Sequence, residues 1–183
     1  SEASFYDVVG KYSHKIDNKN TLEATGYYSK DRFSITSDSL FSYSNRLMSI
    51  KWNRTFNDKN LGSLILSNSQ YKFNIEYDGN FDGDFNLGYK VNETEFKLRM
   101  KYLMNKKHKF DYGLASKLYV VNPGSINAIG SQSLVDNLTI PKERALESAV
   151  FISDNIEIND KLQLSLGMRF SFFASLGASE QNI

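Results

Sequence analysis

Residues 162–172 read Leu162-Gln163-Leu164-Ser165-Leu166-Gly167-Met168-Arg169-Phe170-Ser171-Phe172, and this stretch decides the fold. Six apolar residues alternate in it, without a break, with glycine, polar or charged residues. Because successive side chains of a β-strand point to opposite faces, all six apolar side chains fall on one face. A strand of this length is about twice the mode for soluble proteins and about long enough to cross a bilayer at a tilt. The stretch therefore predicts a strand with lipid on one side and water on the other.

The rest of the chain repeats this pattern between short Asn/Asp/Lys turns at 17–20, 57–60, 105–107 and 159–161. Longer connections at 29–42, 78–93 and 121–143 alternate with these turns, and short turns on one side with long loops on the other are typical of outer-membrane barrels. The predicted fold is an all-β, antiparallel, up-and-down transmembrane β-barrel. Its eight predicted strands cover about 4–16, 21–30, 43–56, 61–77, 94–104, 108–120, 145–158 and 162–173.

The composition excludes several classes of function. The 22 Lys and Arg residues nearly balance the 21 Asp and Glu residues, and no segment is strongly basic, so a nucleic-acid partner is not expected. The absence of cysteine removes disulfides, thiolate metal sites and cysteine nucleophiles. The 13 Phe and 11 Tyr residues favour strands, and no apolar run approaches the roughly 18 residues of a membrane-spanning helix.

Two hairpins have turns short enough to predict their strand pairing. Around the turn at 105–107, Tyr102 is expected opposite Phe110, and Lys101 opposite Asp111 on the other face. The last hairpin should pair its apolar residues in the same way, although Asp154 would then point toward lipid unless a bulge or an interfacial position accommodates it. The expected pairs of the last hairpin are Ile158 with Leu162, Ile156 with Leu164, Ile152 with Met168 and Val150 with Phe170.

The sequence also predicts the pairing of the first hairpin, but not that of the fourth strand. The first hairpin is expected to pair Ile16 with Leu22, and Tyr12 with Gly26. The fourth strand changes phase between its leucines near 64–66 and its aromatic stretch at 71–77, so the sequence predicts no register for it.

Segments 146–155 and 158–170 form a hairpin that resembles the barrel of TonB-dependent outer-membrane receptors. It contains a Glu, an aromatic residue, an Asp-Asn step and a short turn, followed by a strand ending Gly167-Met168-Arg169-Phe170. Segment 105–113 is similar to the family's turn and following strand, and 31–34 and 71–77 look like weaker matches. The resemblance implies about 22 strands around an N-terminal plug. Residues 1–183 would then be part of one barrel domain, an internal piece with about eight strands, without the plug or the closing strands.

The resemblance also implies a function. The intact protein would import a nutrient across the outer membrane of a Gram-negative bacterium, using energy coupled through TonB. Expected partners are outer-membrane lipid, TonB through a segment outside this chain, a small-molecule, oligosaccharide or peptide substrate, and a surface lipoprotein. No cofactor and no enzymatic step are expected. Siderophore, vitamin, oligosaccharide and peptide all remain open as the substrate.

Five charged residues are predicted to face the barrel lumen: Lys97, Arg99, Lys101, Asp111 and Arg169. A positively lined lumen would attract an anionic substrate or hold the plug. The alternative is the mixed charge of any wall that faces water, with Asp111 already pairing with Lys101.

The connection at 121–141 is the predicted ligand contact. Its amides and hydroxyls suit a neutral polar ligand such as a sugar or peptide, and about 20 residues is long for a loop without structure. Alternatively, the loop covers the barrel mouth and touches no ligand. The candidate contacts are Asn122, Ser125, Asn127, Gln132 and Asn137.

Catalysis finds no support in the sequence. His14 and His108 adjoin short turns on separate strands, and no catalytic triad, paired carboxylates or phosphate-binding glycine loop can be placed. The rivals to transport are a complete eight-stranded barrel with a structural or adhesive role, and an outer-membrane hydrolase on about a dozen strands. The aromatic residues expected to form interfacial girdles are Tyr27, Tyr28, Trp52, Tyr71, Tyr77, Tyr102, Tyr112, Phe170 and Phe172.

Overall fold

The structure, a computed structural model, describes residues 3–35, 38–78, 84–129 and 133–177, which form one antiparallel sheet. Eight long strands lie side by side in chain order, and one short strand, Leu138–Thr139, pairs with the sixth of them. The predicted all-β antiparallel fold is confirmed. The strands are β1 Ala3–Lys15, β2 Asn20–Ser34, β3 Ser39–Asn57, β4 Asn60–Tyr77, β5 Phe85–Leu103, β6 His108–Ala128, β7 Leu138–Thr139, β8 Glu143–Asn159 and β9 Leu162–Ser175.

The sheet has two free edges within the described residues. Within the described residues, β1 pairs only with β2 and β9 only with β8, so the sheet is open rather than closed into a small barrel. In the described residues, no helix has the length and apolar character of a membrane span.

Several strands run further from the short turns than the sequence predicts. The strand β2 continues to Ser34, β5 begins at Phe85 and β6 continues to Ala128. The predicted connections at 29–42, 78–93 and 121–143 are therefore too long, because cross-strand pairs such as Phe33 with Phe41 and Tyr77 with Phe85 extend the ladder. The segment at 121–141 is in part strand, and β7 adds two residues to the edge of β6.

All four short turns use the same side-chain hydrogen bond. An Asp or Asn oxygen accepts the backbone N–H of the lysine two residues later, at 2.7–3.0 Å. This Asx-type bond stabilises a tight reversal. Asp58 and Asp160 also lie in these turns, as predicted, but there the preceding Asn accepts the bond. The four accepting residues are Asp17, Asn57, Asn105 and Asn159.

The pairing predicted for the two clearest hairpins is largely confirmed. Tyr102 pairs with Phe110, and Val150 with Phe170. At the tip of the last hairpin Asn159, not Ile158, pairs with Leu162, because a bulge lies between Glu157 and Asn159.

The register predicted for the first hairpin is wrong by two residues. Tyr12 pairs with Ala24 rather than Gly26, and His14 pairs with Leu22. The turn lies one residue earlier than predicted, because Asp17 accepts the backbone N–H of Lys19 and that of Asn20. A shift of two residues keeps each side chain on its predicted face.

The sheet has two chemically distinct faces, which residue parity distinguishes. Cross-strand partners share a face, and the register connects even-numbered residues with even-numbered ones from β1 to β9, up to a bulge near residue 123 of β6. We call the face with the even-numbered residues the even face, and the opposite one the odd face. Next to the short turns, the even face is apolar and the odd face is polar. One even-face row of this apolar band contains Leu22, Trp52, Leu64, Leu98, Leu114, Val150 and Phe170.

Farther from the short turns, β2 to β5 invert this pattern. The strand β4 pairs without a bulge with β5 from Asn60 to Tyr77, so its change of phase is not a change of register. Leu66 lies on the even face, whereas Tyr71 and Phe73 lie on the odd face. Even positions there become polar or cationic, as Gln70 and Lys72 illustrate. The apolar band therefore ends near residue 68 of β4.

Candidate functional site

The predicted lumen charges all lie on the odd face. Arg99 and Asp111 form its tightest ion pair: Nε of Arg99 donates to both carboxylate oxygens at 2.8 Å, and its terminal nitrogen also contacts Asp111. Lys101 is the cross-strand partner of Asp111, but Arg99 takes the carboxylate. The predicted pairing of Asp111 with Lys101 is therefore correct for the backbone and wrong for the side chains.

Other charges on this face are also paired. Arg169 lies 3.8 Å from Glu147, which also accepts a hydrogen bond of 3.2 Å from the hydroxyl of Tyr119. The ammonium group of Lys97 lies 6.0 Å from the centre of the Phe151 ring, a cation–π distance. These contacts neutralise much of the charge internally. A role for the five predicted residues in attracting a substrate stays a prediction.

A continuous row of aromatic rings lies on the odd face beyond the apolar band. Phe73 is at its centre, with ring-centroid distances of 5.0 Å to Tyr43 and 5.1 Å to Tyr89. Phe33 extends the row, lying 5.1 Å from Phe41 and 6.0 Å from Tyr43. We call these rings the aromatic ladder; its members are Phe33, Phe41, Tyr43, Tyr71, Phe73 and Tyr89.

Tyr71 connects the ladder to the polar chemistry around it. Its ring lies 5.7 Å from that of Tyr89 and 6.4 Å from that of Tyr43. Burial, followed by a hydrogen bond with Tyr89, raises the pKa of the Tyr71 phenol to about 12. The ladder thus offers half-buried ring faces and neutral hydroxyls, a surface that suits stacking against a planar or ring-shaped ligand.

The sequence interpretation missed this surface. Tyr71 and Tyr77 were expected in a lipid-facing girdle, together with Tyr27, but all three lie on the odd face. The signal was present in the phase change of the fourth strand, which marks the height at which aromatic residues move from one face to the other. Tyr28, Trp52, Tyr102, Tyr112, Phe170 and Phe172 are on the even face as expected.

The candidate ligand residues of 121–141 do not join the ladder. Asn122 pairs with Lys90 on the even face, and Ser125 pairs with Gly88 beyond the bulge, which brings Ser125 and Asn127 onto that same face. All three line a groove of about 470 Å³ with Lys72, Lys90 and Lys142. Asn137 instead accepts a hydrogen bond of 2.8 Å from the backbone N–H of Ala128, and Gln132 lies outside the described residues. Their role as ligand contacts stays a prediction.

The two histidines lie on separate strands. Nδ1 of His108 is 2.6 Å from Oδ2 of Asp154, whereas the ring of His14 stacks on Tyr12 with centroids 6.2 Å apart. The described residues contain no group of three His, Cys, Asp or Glu side chains able to hold a metal ion. The geometry of the described residues thus offers surfaces for binding.

Comparison with known proteins agrees with this geometry. The sequence model described as "TonB dependent receptor-like, beta-barrel" matches residues 2–181. Among solved structures, the chain is similar to BauA, the ferric preacinetobactin receptor of Acinetobacter baumannii, with a TM-score of 0.66 and 10% sequence identity. The match covers 98% of this chain but 35% of BauA, so the chain spans about a third of that receptor's length. No curated protein sequence matches the chain.

Proposed function

The chain belongs to the TonB-dependent receptor-like β-barrel family, and from that premise we propose that the whole protein is an outer-membrane transporter that imports a scarce nutrient with energy delivered by TonB. The family is one of outer-membrane receptors of Gram-negative bacteria. This chain would supply about eight strands of the wall and part of the rim. The single observation that carries the proposal is the division of one sheet into an apolar face and a polar face along membrane-length strands.

The dimensions of the apolar band support this placement. On β9 the alternation spans residues 162–172, and on β4 the even-face band runs from Asn60 to about Asn68. Strand segments of about 9–11 residues cross the hydrocarbon core when tilted by about 45°. In the proposed orientation the short turns lie in the periplasm and the longer connections outside. The aromatic ladder would then face the outer part of the lumen.

The open edges of the sheet support a barrel larger than eight strands. The strands β1 and β9 each have one neighbour in the described residues and are exposed along nearly their whole length. An unpaired strand edge in hydrocarbon leaves backbone N–H and C=O groups without partners, at a cost of several kcal/mol for each group. Further strands would satisfy both edges, as in the family's barrels of about 22 strands.

The aromatic ladder is the substrate contact that the geometry favours. It lies on the lumen side, above the ion-paired part of the wall, where an incoming solute would meet it first. Stacked rings favour a substrate with planar or ring-shaped parts, which is compatible with an aromatic chelator or a sugar. A chelator imported with its metal ion would be cargo of the transporter, and the metal would not be a resident cofactor.

The proposal is tested with the full-length receptor in its host. Transport requires that the protein be recovered in the detergent-extracted outer membrane, and that its expression support growth on the limiting nutrient only when TonB is present. Recovery in a salt-washed aqueous fraction without detergent would refute membrane insertion. Equal uptake with and without TonB would refute energy coupling while leaving insertion intact.

A further inference from the structure

Seven cationic side chains form a belt on the even face, immediately beyond the apolar band. Lys30, Lys72 and Lys90 belong to one row of cross-strand partners that also contains Ser44 and Asn122. The next row toward the short turns contains Arg46 and Arg144. We call the set the basic belt; it consists of Lys30, Arg32, Arg46, Lys72, Lys90, Lys142 and Arg144.

The belt cations differ from those of the odd face in their partners. On the odd face, Lys51, Arg99 and Lys117 each lie within 4 Å of a carboxylate, as do Lys11 and Arg169. In the described ranges, none of the seven belt cations has a carboxylate at that distance. The guanidinium of Arg46 donates to the amide oxygen of Asn68 at 3.3 Å. The positive charge of the belt is therefore not neutralised by the described protein groups.

Two of these lysines lie opposite each other on neighbouring strands. Lys72 on β4 and Lys90 on β5 are cross-strand partners, and like charges in that position destabilise a sheet. Both line the groove of about 470 Å³ with Lys142, and Asn122 and Asn127 are in its wall. Three ammonium groups with amide donors form a site for an anion with several acceptor oxygens. An anion bound between Lys72 and Lys90 would remove their repulsion.

The position of the belt relative to the apolar band indicates where the anion comes from. Val120 is the last apolar residue of the band on β6, and its row contains Arg46 and Arg144. The row of Lys72 and Lys90 is two residues further along the strands, about 7 Å. Both rows therefore lie in the headgroup layer, since that layer adds about 5–8 Å on each side of the core.

We propose that the basic belt binds the phosphate groups of anionic lipids in the leaflet around the outer part of the barrel, with Lys72, Lys90 and Lys142 holding one phosphate. Basic clusters just outside the hydrocarbon bind anionic headgroups. This inference rests on the membrane insertion in the proposed function but not on transport. Bound lipid would fix the height and tilt of the wall without entering the lumen.

The test uses the full-length receptor purified in neutral detergent, with no substrate and no TonB. The probe is bis-phosphorylated lipid A, compared with the same lipid after removal of its phosphates, and bound lipid is counted by native mass spectrometry. The test variant is Lys72→Gln/Lys90→Gln/Lys142→Gln. The control Lys59→Gln/Lys107→Gln/Lys161→Gln removes the same charge at the short turns. Heat-modifiable gel mobility verifies that each variant is folded.

The wild-type receptor should bind the phosphorylated probe at least about tenfold more tightly than the dephosphorylated one. The groove variant should lose this preference, and the turn variant should retain it to within about twofold. Equal binding of the two probes by the wild-type protein would overturn the proposal. So would an equal loss in the turn variant, which would indicate net charge alone. Full displacement of the lipid by millimolar inorganic phosphate would assign the groove to a small anion instead.

Discussion

Nδ1 of His108 on β6 lies 2.6 Å from Oδ2 of Asp154 on β8, on the otherwise apolar even face near the short turns. Asp154 pairs in unbroken register with Phe110 and Leu166, so the carboxylate is not moved to the other face by a bulge. The backbone N–H of Lys109 donates to its second oxygen at 3.2 Å. These two contacts explain how an acid that breaks the alternation of the sequence is accommodated.

Removing the histidine alone should destabilise the barrel. His108→Leu leaves the Asp154 carboxylate with one backbone donor, and losing a partner of this kind costs about 1–3 kcal/mol. The double variant His108→Leu/Asp154→Leu should regain most of that loss, because a buried polar pair can be replaced by apolar residues at little cost. Urea unfolding of the refolded full-length receptor measures both. A double variant less stable than His108→Leu would contradict this account.

Gly113 is required by the close approach of β5 and β6. A Cβ added there would lie 2.0 Å from the carbonyl oxygen of Leu98 and 3.0 Å from the ring of Phe151, and the backbone would have to move. Gly113→Ala should lower the unfolding free energy by about 3 kcal/mol, the upper end for overpacking. Gly26→Ala is the matched control, since nothing lies within 4 Å of its added Cβ. Equal unfolding midpoints for the two variants would show that β5 and β6 can move apart around the added Cβ without loss of stability.

Much of the fold could be predicted because β alternation and short turns are local signals. The pairs around residues 105–107 follow from matching apolar residues, and the structure has them in that register. The first hairpin could not be aligned in this way, because matching residues leaves a choice of two-residue steps that keep every face correct. The choice was made by hydrogen bonds of one side chain, Asp17, with two backbone N–H groups.

The site was less predictable, for a different physical reason. Alternation gives the two faces of a strand but not the height at which the membrane ends, so Tyr71 was assigned to lipid although it belongs to the odd face. The end of the membrane is visible only across neighbouring strands, where Gln70 pairs with Arg46 and Asn92. A single bulge at Pro123-Gly124 of β6 likewise moves Ser125 and Asn127 to the even face, and in the sequence that Pro-Gly pair is equally typical of a turn.

The phenol of Tyr71 should ionise only at high pH. Because folding raises its pKa from 10.0 to about 12, folding favours the neutral phenol, and its contribution to stability is full below about pH 10 and lost as the pH rises through about 12. Ultraviolet titration of tyrosinate should show a step near pH 12 that Tyr71→Phe removes. A step that persists in Tyr71→Phe would assign it to another phenol.

Phe73 is the central ring of the aromatic ladder, in contact with Tyr43 and Tyr89. If the ladder contacts the substrate, Phe73→Ala should raise the KM of uptake by the full-length receptor about tenfold, since a lost stacking contact is worth about 0.5–1.5 kcal/mol beyond its buried area. Phe73→Tyr should retain most of the affinity because the ring remains. Phe96→Ala is the control: it removes the same ring from the apolar band on the opposite face and should leave the KM unchanged if the variant is inserted at the normal level. An unchanged KM in Phe73→Ala, with normal surface expression, would remove the ladder from the path of the substrate.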